Sequence, residues 1–317
     1  MSAELAGARV VVTGGAGFIG SHLVEGLLEA GARVTVLDDF STGHRANLQP
    51  MLKDIELVEG DIRDLALCQR VIAGARYVLH QAALGSVPQS IAEPATAIAV
   101  NVGGTANVFT AARDAGVRRV VYASSSSVYG ESEALPKREG EEGALLSPYA
   151  VSKWMDEELA LLFAKSYPLQ LVGLRYFNVY GPRQDPRGAY AAVVPRFFAS
   201  CFAGEAPVIF GDGQQTRDFT YVKDVVRANL MALVSPEGSG AAYNVGAGTK
   251  TSVVELAETI IAVTGFTGSP EYQPARAGDI RHSVADTQRA EAALGWRATT
   301  SLTEGLAEAA ASYRPGG

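Results

Sequence analysis

Val10-Val-Val-Thr-Gly-Gly-Ala-Gly-Phe-Ile-Gly20 carries a β-branched run into three closely spaced glycines, Gly14, Gly17 and Gly20, and the apolar positions Leu23, Val24, Leu27 and Leu28 follow at helical spacing. The pattern predicts a buried strand, a tight turn and a helix packed back on the strand. Gly14 permits the turn, Gly17 lets backbone N–H groups approach a pyrophosphate, and Gly20 allows close helix–strand contact. The helix N-terminus then faces the phosphates with unpaired donors and the positive end of its dipole. A second expected strand, residues 33–37, ends in Asp38-Asp39, a little over twenty residues past the first glycine. An acid there would hold a ribose 2′-hydroxyl. Glycines in that context imply a dinucleotide site. The same acids would repel a 2′-phosphate and favour NAD over NADP, with Arg33 and Arg45 the nearby cations that could oppose this.

Composition narrows the class. A chain of 317 residues that is 47% hydrophobic can bury a large core and build two domains, or one with a lobe. A net charge of −7 argues against nucleic acid or an anionic membrane surface as the main partner. Cys68 and Cys201 lie far apart inside apolar segments and read as buried thiols of a reducing compartment. The first residues lack a basic leader, and no apolar run reaches the roughly 18 residues of a membrane span. The expectation is a soluble, cytoplasmic protein with no nucleic-acid or membrane partner. His22, His44, His80 and His282 share no metal-ligand spacing with each other or with the cysteines, so no metal is expected.

Strand–helix alternation continues. Strands are expected at 55–59, 76–80, 119–123 and 171–177, with helices at 65–73, about 95–115 and 147–165. The 95–115 helix contains Asn101, and the 147–165 helix opens with Ser147-Pro148, an N-cap and a first-turn proline. Such alternation gives a Rossmann-type α/β fold, a doubly wound parallel sheet covered on both faces. Its ligands bind beyond the strand carboxyl ends, so Gly14, Asp38, Asp61, Gln81 and Ser125 should converge. Beyond residue 178 the pattern changes to a Gly/Pro/Arg-rich loop at 181–190, a helix near 192–203, short strands at 207–210, 218–221 and 242–245, and a helix at 223–234. Ser252/Glu255 and Ser301/Glu304 form capping boxes for two further helices. The expected division is a dinucleotide-binding domain over 1–178, with 219–248 returning to it, and a smaller mixed α/β substrate domain over 179–317. Arg183, Arg187, Arg196, Arg217, Arg276 and Arg281 all fall in this later half and suggest an anionic substrate such as a diphosphate.

Tyr149 and Lys153 are four residues apart on one helix and share a face. A phenol with a pKa of about 10 is a poor base at neutral pH. An ammonium beside it, with an oxidised nicotinamide, would favour the phenolate. Ser125, in the serine run 124–127, could share a hydrogen bond with the same substrate hydroxyl and guide its proton to Tyr149. That run lacks the Gly-x-Ser-x-Gly elbow of a hydrolase.

Thr13-Gly-Gly-Ala-Gly-Phe-Ile-Gly20, Asp61-Ile62, Ser125, Tyr149-x-x-x-Lys153 and Leu174-Arg-Tyr-Phe-Asn178 together resemble the extended short-chain dehydrogenase/reductases, and within them the nucleotide-sugar 4-epimerases. The likeness runs from Arg9 to Leu294. Gln184-Asp-Pro-Arg-Gly-Ala-Tyr-Ala-Ala-Val-Val-Pro195, Gly211-Asp-Gly213, Arg217-Asp-Phe219 and the segment 278–286 resemble the substrate half of UDP-hexose and UDP-N-acetylhexosamine epimerases. The resemblance implies a tightly bound NAD that accepts hydride from the sugar's C4 and returns it to the other face, with Ser125, Tyr149 and Lys153 catalytic. It implies cofactor contacts from Gly14, Gly17, Phe18, Ile19, Asp38, Asp39, Ser41 and Gly43. Further ones would come from Asp61, Ile62, Gln81, Ala82, Ala83, Asn101, Ser124, Tyr149, Lys153, Tyr176 and Val179.

For the UDP-sugar it implies Asn178 and Arg217 on the phosphates, with Arg276 as a further contact and Asp279 near the uridine ribose. Val208 and Phe210 would flank the uracil, and Ala192 and Val193 the sugar. Ser86, Ser125, Ser126, Tyr149 and Arg196 complete the implied substrate set. Ser283 stands where a large aromatic excludes an N-acetyl group, so both plain and N-acetylated hexoses are expected to fit. Related 4,6-dehydratases carry an Asp-Glu pair, and UDP-glucuronate decarboxylases a Glu, just before the Val-Tyr-Gly found here at 128–130. This chain has Ser126-Ser127 there, which disfavours dehydration and, less strongly, decarboxylation. A homodimer pairing the 95–115 and 149–165 helices is also implied. The rivals are a UDP-glucuronate decarboxylase, a simple keto-reductase and a non-catalytic dinucleotide-binding regulator; the last should have lost Tyr149 or Lys153.

Overall fold

The computed structural model describes residues 2–186, 191–275 and 281–314. A one-turn helix, Ser2–Leu5 (α1), precedes Arg9–Thr13 (β1), whose β-branched run is buried on both faces. Then come Phe18–Glu29 (α2), Arg33–Asp38 (β2), Arg45–Leu48 (α3), Ile55–Glu59 (β3) and Leu65–Ile72 (α4), the last capped by the Asp64 carboxylate. Tyr77–His80 (β4) leads to three helical pieces, Val87–Ala92 (α5), Pro94–Ile98 (α6) and Gly104–Asp114 (α7). Arg119–Ser125 (β5), Pro148–Ser166 (α8) and Gln170–Tyr176 (β6) follow. The remainder runs Val179–Tyr180 (β7), Val193–Phe202 (α9), Val208–Phe210 (β8), Thr216–Arg217 (β9), Thr220–Tyr221 (β10) and Val222–Val234 (α10). It ends with Ala241–Val245 (β11), Thr251–Ser252 (β12), Val253–Thr264 (α11), Glu271–Gln273 (β13), Gln288–Leu294 (α12) and Leu302–Ala310 (α13).

Seven parallel strands form the main sheet in the order β11-β6-β5-β4-β1-β2-β3. The chain leaves β3 at one edge and re-enters as β4 on the other side of β1. The strand order therefore reverses between β1 and β4, the crevice where such sheets bind ligands. Alternate side chains divide the core between two faces. Val10, Val12, Val121 and Leu174 pack with α2, α10 and α12, through Leu23, Leu27, Val225, Leu233 and Leu294. Val11, Val78, Val120 and Leu171 pack with α4, α7 and α8, through Cys68, Val71, Val108, Phe109 and Ala160. Phe197, Phe198, Ile209, Tyr221, Leu256 and Leu306 form a separate core for the short-strand lobe.

Two expectations need correction. The single helix at 95–115 is broken into α6 and α7 by a π-helical turn, Ala99–Gly103, and α5 stands before it. The turn's extra residue rotates Asn101 inward, where it bonds the Leu84 backbone and Ser152. The expected 218–221 strand is reduced to Thr220–Tyr221, because the Asp218 carboxylate instead receives the N–H groups of Ala247, Gly248 and Ala285.

Candidate active site

One cavity of about 600 Å³ opens at the carboxyl ends of β1 and β4. It lies within the range of roughly 300–1,000 Å³ usual for small-molecule and cofactor sites. Its floor is the glycine turn. Gly14 has φ +70°, and a Cβ there would sit 2.6 Å from the Ala82 nitrogen; a Cβ on Gly20 would sit 2.0 Å from the Gly14 carbonyl oxygen. Neither position has room for a side chain, so β1, α2 and the loop after β4 approach as closely as backbone allows. No side chain caps α2 at Gly17, and Gly17, Phe18 and Ile19 line the cavity. The helix therefore presents uncapped N–H donors to it, a cradle for a phosphate anion.

At the end of β2 the Asp38 carboxyl is buried and receives the N–H of Ala16 and of Phe40, each at 2.8 Å. Burial raises its pKa while those two bonds oppose the rise. Part of its capacity thus braces the turn. Asp39 bonds Ser41, and Asp61 is held below the usual carboxylate range by the Arg63 side chain. Asp38, Asp39, Ser41, Gly43, Asp61, Ile62, Gln81, Ala82 and Ala83 all border the cavity. Arg45 pairs with Glu59 and lies over the Phe40 ring, while Arg33 Nε donates to the Gly7 carbonyl; both cations are engaged away from the cavity wall.

The other end of the same cavity carries Ser124, Ser125, Ser126, Tyr149, Lys153 and Tyr176, with Ser86, Asn178 and Val179 beside them. Ser147 caps α8 by accepting from Ala150 N, and the Tyr149 N–H donates to Ser90 Oγ at 3.1 Å. These bonds fix the first turn, from which Tyr149 projects, and Lys153 lies one turn on. Lys153 Nζ donates to the Ala123 carbonyl at 3.0 Å and to Asp156 at 3.2 Å. Ser125 Oγ receives the N–H and the hydroxyl of Ser127. Behind this wall, Arg175 binds Glu157 through two donors and Glu142 through a third, and Ser124 donates to Glu157. A buried ion pair is tolerable only when its remaining polar capacity is met in this way. Asn229 of α10 bonds Tyr176 and Gln81, and burial raises the Tyr176 phenol.

The lobe residues expected around a substrate do not border this cavity: Ala192, Val193, Arg196, Val208, Phe210, Arg217 and Ser283 lie outside its wall. The Arg196 guanidinium lies over the Phe210 ring, and the Ser283 N–H donates to the Thr216 carbonyl. Asn101 also stands behind the wall, supporting the 81–86 loop through Leu84. Arg183 pairs with Glu25 and Arg281 with Asp212, so neither is committed to the cavity. Arg187, Arg276 and Asp279 lie outside the described residues. Sequence reasoning missed Gln184, which lines the cavity with a buried Oε1 that has no hydrogen-bond partner among the described residues, and also missed Gln89, Asp156 and Asn229. Among the described residues no His/Cys/Asp/Glu group is arranged to hold a metal, and no helix is long and apolar enough to cross a membrane.

A family model described as the NAD dependent epimerase/dehydratase family matches residues 10–246. The UDP-glucose 4-epimerase of Mycolicibacterium smegmatis is 42% identical over 310 residues, covering 96% of this chain and 98% of that one. A solved UDP-N-acetylglucosamine 4-epimerase from Methanobrevibacter ruminantium, in complex with UDP-N-acetylmuramic acid, superposes with a TM-score of 0.93 at 38% identity, covering 97% of this chain and 98% of the other. A Thermus thermophilus UDP-glucose 4-epimerase in complex with NAD gives a TM-score of 0.86 at 38% identity, with 96% and 99% covered.

Proposed function

The chain belongs to the NAD-dependent epimerase/dehydratase family, and from that premise we propose that it interconverts the C4 epimers of UDP-hexoses, UDP-glucose with UDP-galactose and UDP-GlcNAc with UDP-GalNAc. One observation carries this reading: Ser125, Tyr149 and Lys153 border the same cavity as the Gly14–Gly17 turn and Asp38. NAD fits the floor of that cavity, where the uncapped α2 N-terminus would take the pyrophosphate and Asp38 or Asp39 a ribose. When bound, it supplies an acceptor and later a donor for the C4 hydride, so that the sugar passes through a 4-keto form. With Arg33 and Arg45 engaged elsewhere, nothing on this wall favours a 2′-phosphate.

Tyr149 is the base that removes the 4-hydroxyl proton and the acid that returns it. The Lys153 ammonium stabilises the phenolate, and Ser125 orients the hydroxyl. Asn178, on the cavity wall, takes the diphosphate, and the ligand's nucleotide end reaches past that wall toward Arg217, Val208 and Phe210 of the lobe. Ser283 leaves room for an N-acetyl group. On α8, Val151, Met155 and Leu162 are exposed along one stripe, which supports pairing with a second copy in a homodimer. Buried, unpaired Cys68 and Cys201 agree with a cytoplasmic location.

Proton NMR tests the activity: purified protein, without added cofactor, is given UDP-glucose and UDP-GlcNAc in separate tubes. A galacto-configured anomeric signal should grow in both. No change in either, with turnover of UDP-glucuronate instead, would replace epimerisation with decarboxylation.

A further inference from the structure

Asp156 lies three residues beyond Lys153 on α8, and the two side chains are only 1% and 4% exposed. An ammonium carries three donors. Lys153 spends two of them on the protein side, at the Ala123 carbonyl, 3.0 Å away, and at Asp156 Oδ2, 3.2 Å away. The third is left for the cavity that Lys153 lines.

The other carboxylate oxygen, Asp156 Oδ1, is buried, with the Thr105 hydroxyl as a weak partner and no close hydrogen bond among the described residues. A half-bonded buried ion pair is a poor stabilising device, because an apolar pair of similar volume often does as well or better. Glu157, the next residue, shows the contrast: two donors of Arg175 and the Ser124 hydroxyl satisfy it. Stability therefore does not account for Asp156.

We propose that Asp156 is a positioning residue for the epimerisation. Its carboxylate fixes the Lys153 ammonium with one N–H toward the ligand, and its charge sets how strongly that ammonium acts on Tyr149. This rests on the proposed roles of Tyr149 and Lys153. Of the carboxylates near Lys153, Asp156 is the one that bonds its ammonium, while Glu157 is taken up by Arg175 and Ser124. On α8 it faces Lys153 and Glu157. From α7 comes the Thr105 hydroxyl, which interacts with the Asp156 carboxyl and is hydrogen-bonded to His80 of β4; from β5 comes Tyr122, next to both Asp156 and the Arg175–Glu157 pair. Burial pushes His80 down to about 3 and holds Tyr122 well above its usual value, so neither changes charge near neutrality. Asp156 itself is pushed up to about 6 by burial, against the pull of Lys153.

The test is kcat and KM against pH for the full-length parent, Asp156→Asn and Asp156→Ala, with UDP-glucose as substrate and a melting temperature beside each. Asn keeps the hydrogen-bond acceptor and removes the charge. The uncompensated ammonium should then favour the charged phenolate more strongly and move the acid limb of kcat down by about one pH unit, with KM within about twofold. Ala removes the acceptor too, and kcat should fall about tenfold or more at its plateau while the protein stays folded. An Asn profile that superimposes on the parent or moves to higher pH overturns the proposal, as does an Ala loss no larger than the loss of folded protein. Lys153→Met separates the two levels. If the parent is inactive or Lys153→Met stays active, the proposed site roles fail and this proposal fails with them. If the parent is active, Lys153→Met is dead and Asp156→Asn is unmoved, only the positioning role fails.

Discussion

Tyr149 owes its place to two bonds, the Ser147 cap and the contact of its own N–H with Ser90, and the helical turn sets Lys153 on the same face. Removing only the phenolic oxygen leaves that scaffold intact, so Tyr149→Phe should lower kcat about 10²–10⁴-fold with little change in KM or melting temperature. Steady-state kinetics checks this, and a comparable loss in KM alone would assign Tyr149 to binding. Tyr149 and Lys153 were legible in the sequence because both sit on one helix, where spacing fixes geometry. Gly14 and Gly20 were legible because a turn and a close helix–strand approach exclude a Cβ. Gln184 and Asn229 were not: they reach the site from other elements, and no local periodicity marks a contact made across the fold. Asp38 was anticipated at the cavity but not as a brace for Ala16 and Phe40, since those bonds depend on the loop's closed shape.

Helix α8 works on two faces at once. Its inner face carries Lys153, Asp156 and Glu157, while Val151, Met155 and Leu162 stand exposed on the outer one, with Leu162 at 58%. An apolar stripe of this kind is costly to leave in water. Leu162→Glu should convert the proposed dimer to a monomer in sedimentation equilibrium while leaving the fold intact by circular dichroism; a monomeric parent would remove the dimer, and a variant that remains dimeric would move the interface elsewhere. The capped start of α8 and the capping boxes of α11 and α13 were readable from Ser-Pro and Ser-x-x-Glu patterns, because a cap is a short-range device. The π turn at Ala99–Gly103 was not, since one shifted hydrogen-bond register barely disturbs the spacing of apolar residues.

At the scale of the whole molecule, the buried groups His22, His80, Asp156 and Asp218 pull stability in opposite directions with pH. Burial lowers His22 to about 4 and His80 to about 3, so the stability they contribute is present above the unfolded value of about 6.5 and lost as pH falls toward those values. Asp156 and Asp218 are raised to about 6, so their contribution is complete below the unfolded value of about 3.9 and lost as pH rises through 6. Between pH 4 and 6 the two pairs oppose each other. In His80→Gln the balance tips, and urea-derived stability should gain about 1.4 kcal/mol per pH unit relative to the parent as pH falls from 6 to 4. Parallel curves would remove His80 from this account. At this scale alternation of strands and helices was enough to anticipate the parallel sheet and the ligand edge, because covering both faces of a sheet dictates them. The arrangement of the short-strand lobe was not readable, since two- and three-residue strands leave too little pattern. The central claim is that C4 is oxidised and reduced within one site, without its hydrogen passing to water. The direct measurement is epimerisation of UDP-glucose in D₂O, with the product's C4 position read by NMR and mass. Product carrying protium at C4 is the predicted result; deuterium there would contradict the account.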